Sequence, residues 1–300
     1  LEAAGFEVNT TTVAQEQLVN YINSENITVL LVRSATKVRK DLIDACPSLK
    51  IIGRGGVGMD NIDVAYARDK GLHVINTPAA SSESVAELVF AHLFSGVRFL
   101  YDANRNMPLD GDTKFKALKK AYAKGTELRG KTLGVIGFGR IGQATAKIGL
   151  GLGMKVMAFD PFMEKASVTV PFFDGQTVTF DITIDSKEEV LRQADFITLH
   201  VPAQKEFVIG KAEIELMKDG AGLVNAARGG VVDEVAMVEA LKSGKLSFAG
   251  VDTFENEPTP AVQVLMTPNV SLTPHIGAAT TQAQERIGSE LAAQIISILK

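Results

Sequence analysis

The chain is expected to be an α/β protein of two doubly wound parallel-sheet domains, and three observations predict this. Short apolar β-runs alternate with helical stretches along nearly the whole sequence, which argues for parallel strands joined by crossover helices. Two of those runs lead into glycine-rich turns, Gly53-Arg-Gly-Gly-Val-Gly58 and Gly137-Phe-Gly-Arg-Ile-Gly142. With 300 residues and 46% apolar content, the chain is long enough to bury two cores. The expected division is 1–97 with 277–300 as one domain and 98–276 as the other.

In the first domain the β-runs are Phe6-Glu-Val, Thr28-Val-Leu-Leu-Val, Leu49-Lys-Ile-Ile and Leu72-His-Val-Ile-Asn, with helices over Val38–Ala45 and Val64–Lys70. The opening Leu1-Glu-Ala-Ala-Gly-Phe-Glu-Val reads as a helix end running into a strand, so a preceding strand is expected to be missing from the sequence as given. A long helix is expected from about Ser84 towards Tyr101, because Ser81 and Ser82 are good caps and Val85, Leu88, Val89, His92 and Leu93 follow a helical period. A helix of that length leaving one α/β unit is suited to bridge to the next. Asn106 to Gly125 reads as a surface excursion.

The alternating β/α unit of the second domain begins at Lys131, with β-runs at Thr132–Ile136, Lys155–Phe159, Phe196–His200, Gly222–Asn225, Phe248–Val251 and Val270–Thr273. Between Ser167 and Asp185, alternating Thr, Val and Phe around Asp174-Gly175 predicts a β-hairpin insertion. The final helix, Gln282–Leu299, is expected to pack back on the first domain.

The apolar strand, the glycine turn at 137–142 and the helix that follows place backbone N–H groups and a positive helix end where a pyrophosphate can sit. Asp160 ends the next β-run, eighteen positions past Gly142, where a carboxylate accepts both adenosine ribose hydroxyls. It would repel a 2′-phosphate, so the expected cofactor is NAD rather than NADP. Asn76, eighteen positions past Gly58, carries no charge. The earlier loop is therefore a poor dinucleotide site; it is either a structural turn or a holder of a smaller anion.

The net charge of -4, with Lys and Arg scattered, points away from nucleic acid and anionic membranes. Cys46 is the single cysteine, which excludes an internal disulfide and fits a reducing compartment. No apolar run is long enough to span a bilayer, and the expected address is the cytoplasm. No metal site is assigned.

Directly after the β-runs of the second domain stand Gly137, Asp160, Val201-Pro202, Arg228, Asp252 and His275. Carboxyl ends of parallel strands face one crevice, so these segments should converge. Of the four histidines, His73 and His92 fall within regular elements and read as structural, while His200 either borders an adenosine pocket or is structural. His275, in Leu272-Thr-Pro-His-Ile-Gly-Ala, is claimed by no apolar period and is the candidate proton-transfer group. A nearby carboxylate favours protonated imidazole and orients the ring; Glu257 is either that partner or a solvated loop acid. Arg228 offers a planar fork suited to a carboxylate, and a structural salt bridge with Asp252 is compatible with that role.

Gly137–Gly142 with Asp160, Asn225-Ala-Ala-Arg-Gly, Asp252-x-Phe-x-x-Glu257-Pro and Thr273-Pro-His-Ile-Gly-Ala together resemble the D-isomer-specific 2-hydroxyacid dehydrogenases over essentially the whole chain. The resemblance implies a Rossmann-type NAD domain and a flavodoxin-like substrate domain, with the active site in the cleft between them. It implies a catalytic triad of Arg228, Glu257 and His275. NAD contacts are implied at Gly137, Gly139, Arg140, Ile141, Gly142, Asp160, His200, Val201, Pro202, Ala226, Ala227, Arg228, Asp252, His275, Gly277 and Ala278.

Val32-Arg-Ser-Ala-Thr-Lys-Val, Arg54-Gly-Gly-Val-Gly-Met-Asp-Asn and Ser84-Val-Ala-Glu-Leu resemble the phosphoglycerate dehydrogenase branch, in a short form without a C-terminal regulatory domain. That branch implies NAD-dependent oxidation of D-3-phosphoglycerate, the first step of phosphorylated serine synthesis, by a homodimer joined through its NAD domain. Substrate contacts are then expected at Arg54, Gly55, Gly56, Val57, Gly58, Arg228 and His275, with Arg33 and Lys37 behind Arg54 as phosphate ligands. Ser81 departs from the asparagine that relatives often carry in the substrate loop. Glyoxylate or hydroxypyruvate reductase, another D-2-hydroxyacid dehydrogenase, and a corepressor-like NAD-sensing protein are the alternatives.

Overall fold

The computed structural model describes residues 1–300, which form two compact units: Leu1–Ser81 with Ala278–Lys300, and Ser82–Gly277. In the first unit α1 (Leu18–Ser24), β1 (Val29–Val32), α2 (Lys40–Ala45), β2 (Ile51–Arg54), α3 (Val64–Asp69) and β3 (His73–Asn76) alternate in chain order. The strands form a parallel sheet of order β1-β2-β3. Leu30, Ile52 and Val74 stand in register across it. Ile22, Val38, Leu42, Ile52, Ile62 and Ala67 fill the core, and the last helix, Thr281–Leu299, contributes Ile287 and Leu291 beside Ala80 and Ile75.

One detail of this unit differs from the sequence reading. Phe6–Val8 forms no strand, and the first unit's sheet is made of β1, β2 and β3 alone. The glycine run at 53–58 does not lead directly into a helix, since the next one, α3, begins at Val64, where the sequence places it. The loop instead closes on its own unit. Gly55 N donates to Val32 O at 2.9 Å and Thr77 N to Gly56 O at 3.1 Å. Gly56 lies at φ 144°, where an added Cβ would fall 1.8 Å from Arg54 Nη1, so the arginine side chain folds over its own loop.

The second unit opens with α4 (Ser82–Val97), α5 (Leu100–Asp110) and α6 (Phe115–Ala121), followed by β4 (Thr132–Ile136), α7 (Arg140–Gly151) and β5 (Lys155–Phe159). An inserted hairpin, β6 (Lys165–Pro171) and β7 (Thr177–Thr183), precedes α8 (Lys187–Gln193), β8 (Phe196–Leu199), α9 (Lys211–Leu216) and β9 (Ala221–Asn225). The unit ends with α10 (Glu234–Ser243), β10 (Leu246–Val251), α11 (Val262–Leu265) and β11 (Val270–Leu272). Its sheet has the order β11-β10-β9-β8-β4-β5, with every pairing parallel. One core, including Ile197, Leu223, Met237 and Val251, covers one face; the other, including Phe90, Leu93, Phe138 and Phe248, covers the opposite face. The winding reverses between β4 and β8, which puts the switch point, where such sheets bind ligands, beside the glycine turn after β4.

Helix α4 was expected to close the first domain and run on towards Tyr101. It groups with the second unit, so the boundary falls at Ser81/Ser82 rather than at 97/98. The reason is packing against β10. A Cβ on Gly96 would lie 2.2 Å from the Phe248 ring, and one on Gly250 would lie 2.5 Å from His92 Cβ, so glycines on both elements permit the close approach. The helix stops at Val97, and Phe99, at φ 58°, turns the chain into α5. The excursion at 106–125 is therefore helical in part. The hairpin turns at Gly175 with φ 86° and leaves Phe172 and Phe173 exposed at its tip. No helix of the chain is long and apolar enough to cross a membrane.

Candidate active site

The turn after β4 is built to receive backbone-bound anion. Gly137 adopts φ 90°, and a Cβ there would lie 2.6 Å from His200 O; a Cβ on Gly142 would lie 2.2 Å from Gly137 O. Side chains at either position would push the strand and helix apart. Gly139 faces open space and is the N-cap of α7, with no side chain capping the helix's first N–H groups, among them those of Arg140 and Ile141. Those donors fit a pyrophosphate, the group a dinucleotide would place there. Asp160, just past β5, steadies the turn: Oδ2 accepts from Phe138 N at 2.8 Å and Oδ1 from Phe162 N at 2.9 Å. The residues present fit NAD.

Beside this turn, His200, Val201 and Pro202 follow β8. His200 Nε2 lies 3.1 Å from Thr198 Oγ1, while its buried Nδ1 has no partner. Burial pushes its imidazole down to about 3, so the ring is neutral.

Three loops at the carboxyl ends of β9, β10 and β11 carry the remaining candidates. After β9, Asn225 organises the turn holding Ala226, Ala227 and Arg228: its Oδ1 accepts from Ala227 N at 3.1 Å and its Nδ2 donates to Arg228 O at 2.9 Å. Arg228 Nη1 donates to Ala227 O at 2.7 Å. The next residue, Gly229, approaches the loop after β10 so closely that a Cβ would fall 1.8 Å from Phe254 O. That loop is pinned to the start of α10 by reciprocal bonds. Glu234 N donates to Glu255 Oε1 and Glu255 N to Glu234 Oε1, each at 2.9 Å. Burial above all, with Glu255 and Glu257 adding repulsion, raises the Glu234 carboxyl above its ordinary range, although the Glu255 N–H bond opposes this.

Glu257 and His275 meet on this scaffold. Glu257 Oε1 accepts from Phe254 N at 3.0 Å, and Oε2 lies 2.8 Å from His275 Nδ1. The carboxylate can only accept, so in the neutral ring Nδ1 carries the proton and Nε2 presents a lone pair. His275 stands at φ 54°, a left-handed conformation that non-glycine residues seldom adopt. Asp252, 1% exposed, holds it there. Its Oδ1 accepts from Thr273 Oγ1 at 2.6 Å and from Ile276 N at 2.8 Å, and its Oδ2 from Gly277 N at 2.9 Å. Asp252 is thus first of all the anchor of the histidine loop.

The structure brings Arg228, Asp252, Glu257, His275 and Gly277 together on adjoining strand ends. Arg54–Gly58 and Ala278 belong to the other unit, where Ala278 O accepts from Gln284 Nε2 at 3.0 Å. Asn225, Glu234, Glu255 and Thr273 were not singled out from sequence as site residues. Each acts through backbone or side-chain partners that only the folded turns bring near.

Residues 90–277 match the family model of the D-isomer specific 2-hydroxyacid dehydrogenase NAD binding domain. The chain is 43% identical over 298 residues to a hydroxypyruvate reductase of Thermotoga maritima, covering 98% of this chain and 91% of the relative. It is 41% identical over 302 residues to a D-3-phosphoglycerate dehydrogenase of Methanocaldococcus jannaschii, covering 100% of this chain and 55% of the relative. It spans about half the length of the curated phosphoglycerate dehydrogenases it matches. The crystal structure of D-lactate dehydrogenase from Aquifex aeolicus, complexed with NAD and lactic acid, superposes with a TM-score of 0.72 at 30% identity, over 96% of this chain and 93% of that one. With the glycine turn, the acid after β5 and the strand-end loops already in place, these matches establish that the chain belongs to the NAD-dependent D-isomer specific 2-hydroxyacid dehydrogenase family.

Proposed function

We propose that the chain oxidises D-3-phosphoglycerate to 3-phosphohydroxypyruvate, the first step of phosphorylated serine synthesis, using Arg228, Glu257 and His275. The observation that carries the catalytic part is the His275–Glu257 pair, 2.8 Å apart on a loop tied down by Asp252. Bound NAD supplies the hydride acceptor. His275 Nε2 takes the hydroxyl proton as the C–H bond gives up its electron pair and the C=O bond forms. Glu257 keeps the proton on Nδ1 and balances the positive charge that develops on the ring. Arg228, with its planar fork, is assigned the substrate carboxylate.

The phosphate is assigned to Arg54, whose guanidinium lies over the glycine loop of the first unit. Several relatives described as D-3-phosphoglycerate dehydrogenases, at 38–41% identity, support this substrate. The 43% identity to a hydroxypyruvate reductase over 91% of its length favours a second reading, an unphosphorylated three-carbon acid. The two share their chemistry and differ in one dianionic group, so comparing kcat/KM for 3-phosphohydroxypyruvate and hydroxypyruvate decides between them. Arg54→Ala should lower kcat/KM for the phosphorylated substrate by about ten- to a hundredfold and leave the unphosphorylated one nearly unchanged. A wild-type preference for hydroxypyruvate would refute the phosphoglycerate reading. Assembly as a homodimer through the 82–277 unit is part of the same proposal, and sedimentation equilibrium tests it.

A further inference from the structure

His92 reads from sequence as an ordinary structural histidine of a helix. Its surroundings are more specific. It projects from α4 at 2% exposure, seated over Gly250 of β10, where a Cβ would come within 2.5 Å of its own Cβ. Both ring nitrogens reach the segment that leads to His275: Nδ1 lies 2.9 Å from Ser271 Oγ and Nε2 lies 3.0 Å from Thr273 Oγ1.

The directions of these bonds follow from the far end. Asp252 Oδ1, a carboxylate oxygen, only accepts, so the Thr273 hydroxyl, 2.6 Å away, donates its one hydrogen there. That leaves Thr273 Oγ1 to accept, and the donor facing it is His92 Nε2–H. A neutral ring protonated on Nε2 has its lone pair on Nδ1, which then accepts from Ser271 Oγ–H. Of the two neutral tautomers, only this one satisfies every group in the chain. Burial selects the neutral ring over the doubly protonated one: it pushes the His92 imidazole below its ordinary value, outweighing the opposing pull of Asp252.

We propose that His92 is a positioning residue for the reaction: as a neutral imidazole protonated on Nε2, it fixes Thr273 and thereby sets the Asp252 carboxylate that holds the His275 loop. The loop needs such bracing. His275 sits at φ 54°, and the only bonds that Asp252 makes to the backbone there are those from Ile276 N and Gly277 N, on the two residues just beyond it. An Asp252 carboxylate free to rotate would release both. The proposal rests on the reading of His275 as the proton-transfer group, and its test carries a readout independent of catalysis.

Two substitutions make the test. His92→Phe keeps a planar ring and removes both bonds; His92→Gln retains an N–H donor near the position of Nε2. In His92→Phe, kcat should fall by about tenfold with KM for substrate and NAD nearly unchanged, the size expected for loss of one net hydrogen bond in a positioning network. Amide hydrogen exchange at Ile276 and Gly277 in the cofactor-free protein should accelerate by a similar factor. His92→Gln should recover most of both. Combined with Thr273→Val, His92→Phe should add little, because both interrupt one chain. The inference is overturned if exchange at Ile276 and Gly277 is unchanged in His92→Phe, if Gln is as damaging as Phe, or if the two losses add fully. Nitrogen-15 NMR of the wild-type ring is a further check that needs no variant: an Nδ1–H tautomer or a cationic ring at neutral pH would also overturn it. Should His275→Ala retain activity, the catalytic reading fails, while the exchange data still decide whether His92 braces the loop.

Discussion

Glu257→Gln tests the charge logic of the site with almost no change of volume. In the wild type both carboxylate oxygens accept, Oε1 from Phe254 N at 3.0 Å and Oε2 from the His275 Nδ1 proton at 2.8 Å. A glutamine has one accepting and one donating end, so it cannot satisfy both. If its oxygen faces Phe254, the amide donates to Nδ1, which forces the ring proton onto Nε2 and removes the base from the substrate side. If its oxygen faces His275, the amide hydrogens oppose the Phe254 N–H. A lost bond to a charged group is worth about 1.5–3 kcal/mol. At about 1.4 kcal/mol per decade, that is roughly ten- to 150-fold in kcat/KM. The assay is steady-state NADH formation from the preferred D-2-hydroxy acid, with NAD affinity measured separately and expected to change little. A Glu257→Gln enzyme within about twofold of wild type would refute the assignment of the pair.

Three other outcomes follow from the same geometry. Replacing Asp160 with Ser and introducing Phe162→Arg, at a side chain that is 93% exposed, should shift preference from NAD towards NADP by about ten- to a hundredfold, one charged contact's worth; equal wild-type use of both cofactors would contradict the role of Asp160. Glu234 has a carboxyl raised above its usual range, chiefly by burial, so the stability it contributes is fully present below its unfolded pKa and is lost as pH rises through the folded value. Glu234→Gln, which can still accept from Glu255 N–H, should flatten the fall in thermal midpoint between mildly acidic and neutral pH, and superimposable profiles would show that the burial argument is wrong. Gly229→Ala would place a methyl group within 1.8 Å of Phe254 O; it should separate the Arg228 and Glu257 loops and abolish most turnover, and a fully active variant would exclude their close packing.

Much of this was legible before the structure. The NAD turn could be read because its glycines answer local demands of strand, turn and helix, and because Asp160 ends the adjacent strand at a fixed spacing. His275 stood out as the histidine that no apolar period explained. The site's supports were not legible. Asp252 carries no sequence sign that it will hold the N–H groups of Ile276 and Gly277, and Glu234 and Glu255 are twenty-one residues apart yet bond reciprocally. His92 was read as a satisfied structural residue, and its partners, Ser271 and Thr273, lie about 180 positions further along. The boundary after α4 was misplaced for a related reason: an apolar helical period shows that one face is buried but not against which sheet, and that choice was made by Gly96 and Gly250. The second glycine loop passed a motif test, but the uncharged Asn76 at the ribose position already set it apart from the first.

The most direct test of the account is the turnover of His275→Ala with saturating NAD and the preferred D-2-hydroxy acid. Loss of the proton-transfer group should lower kcat by about two to four decades, with NAD binding by titration calorimetry close to that of the wild type, because the glycine turn and Asp160 are untouched. A His275→Ala enzyme that binds NAD normally and turns over at a near-normal rate would contradict the assignment of His275 as the base.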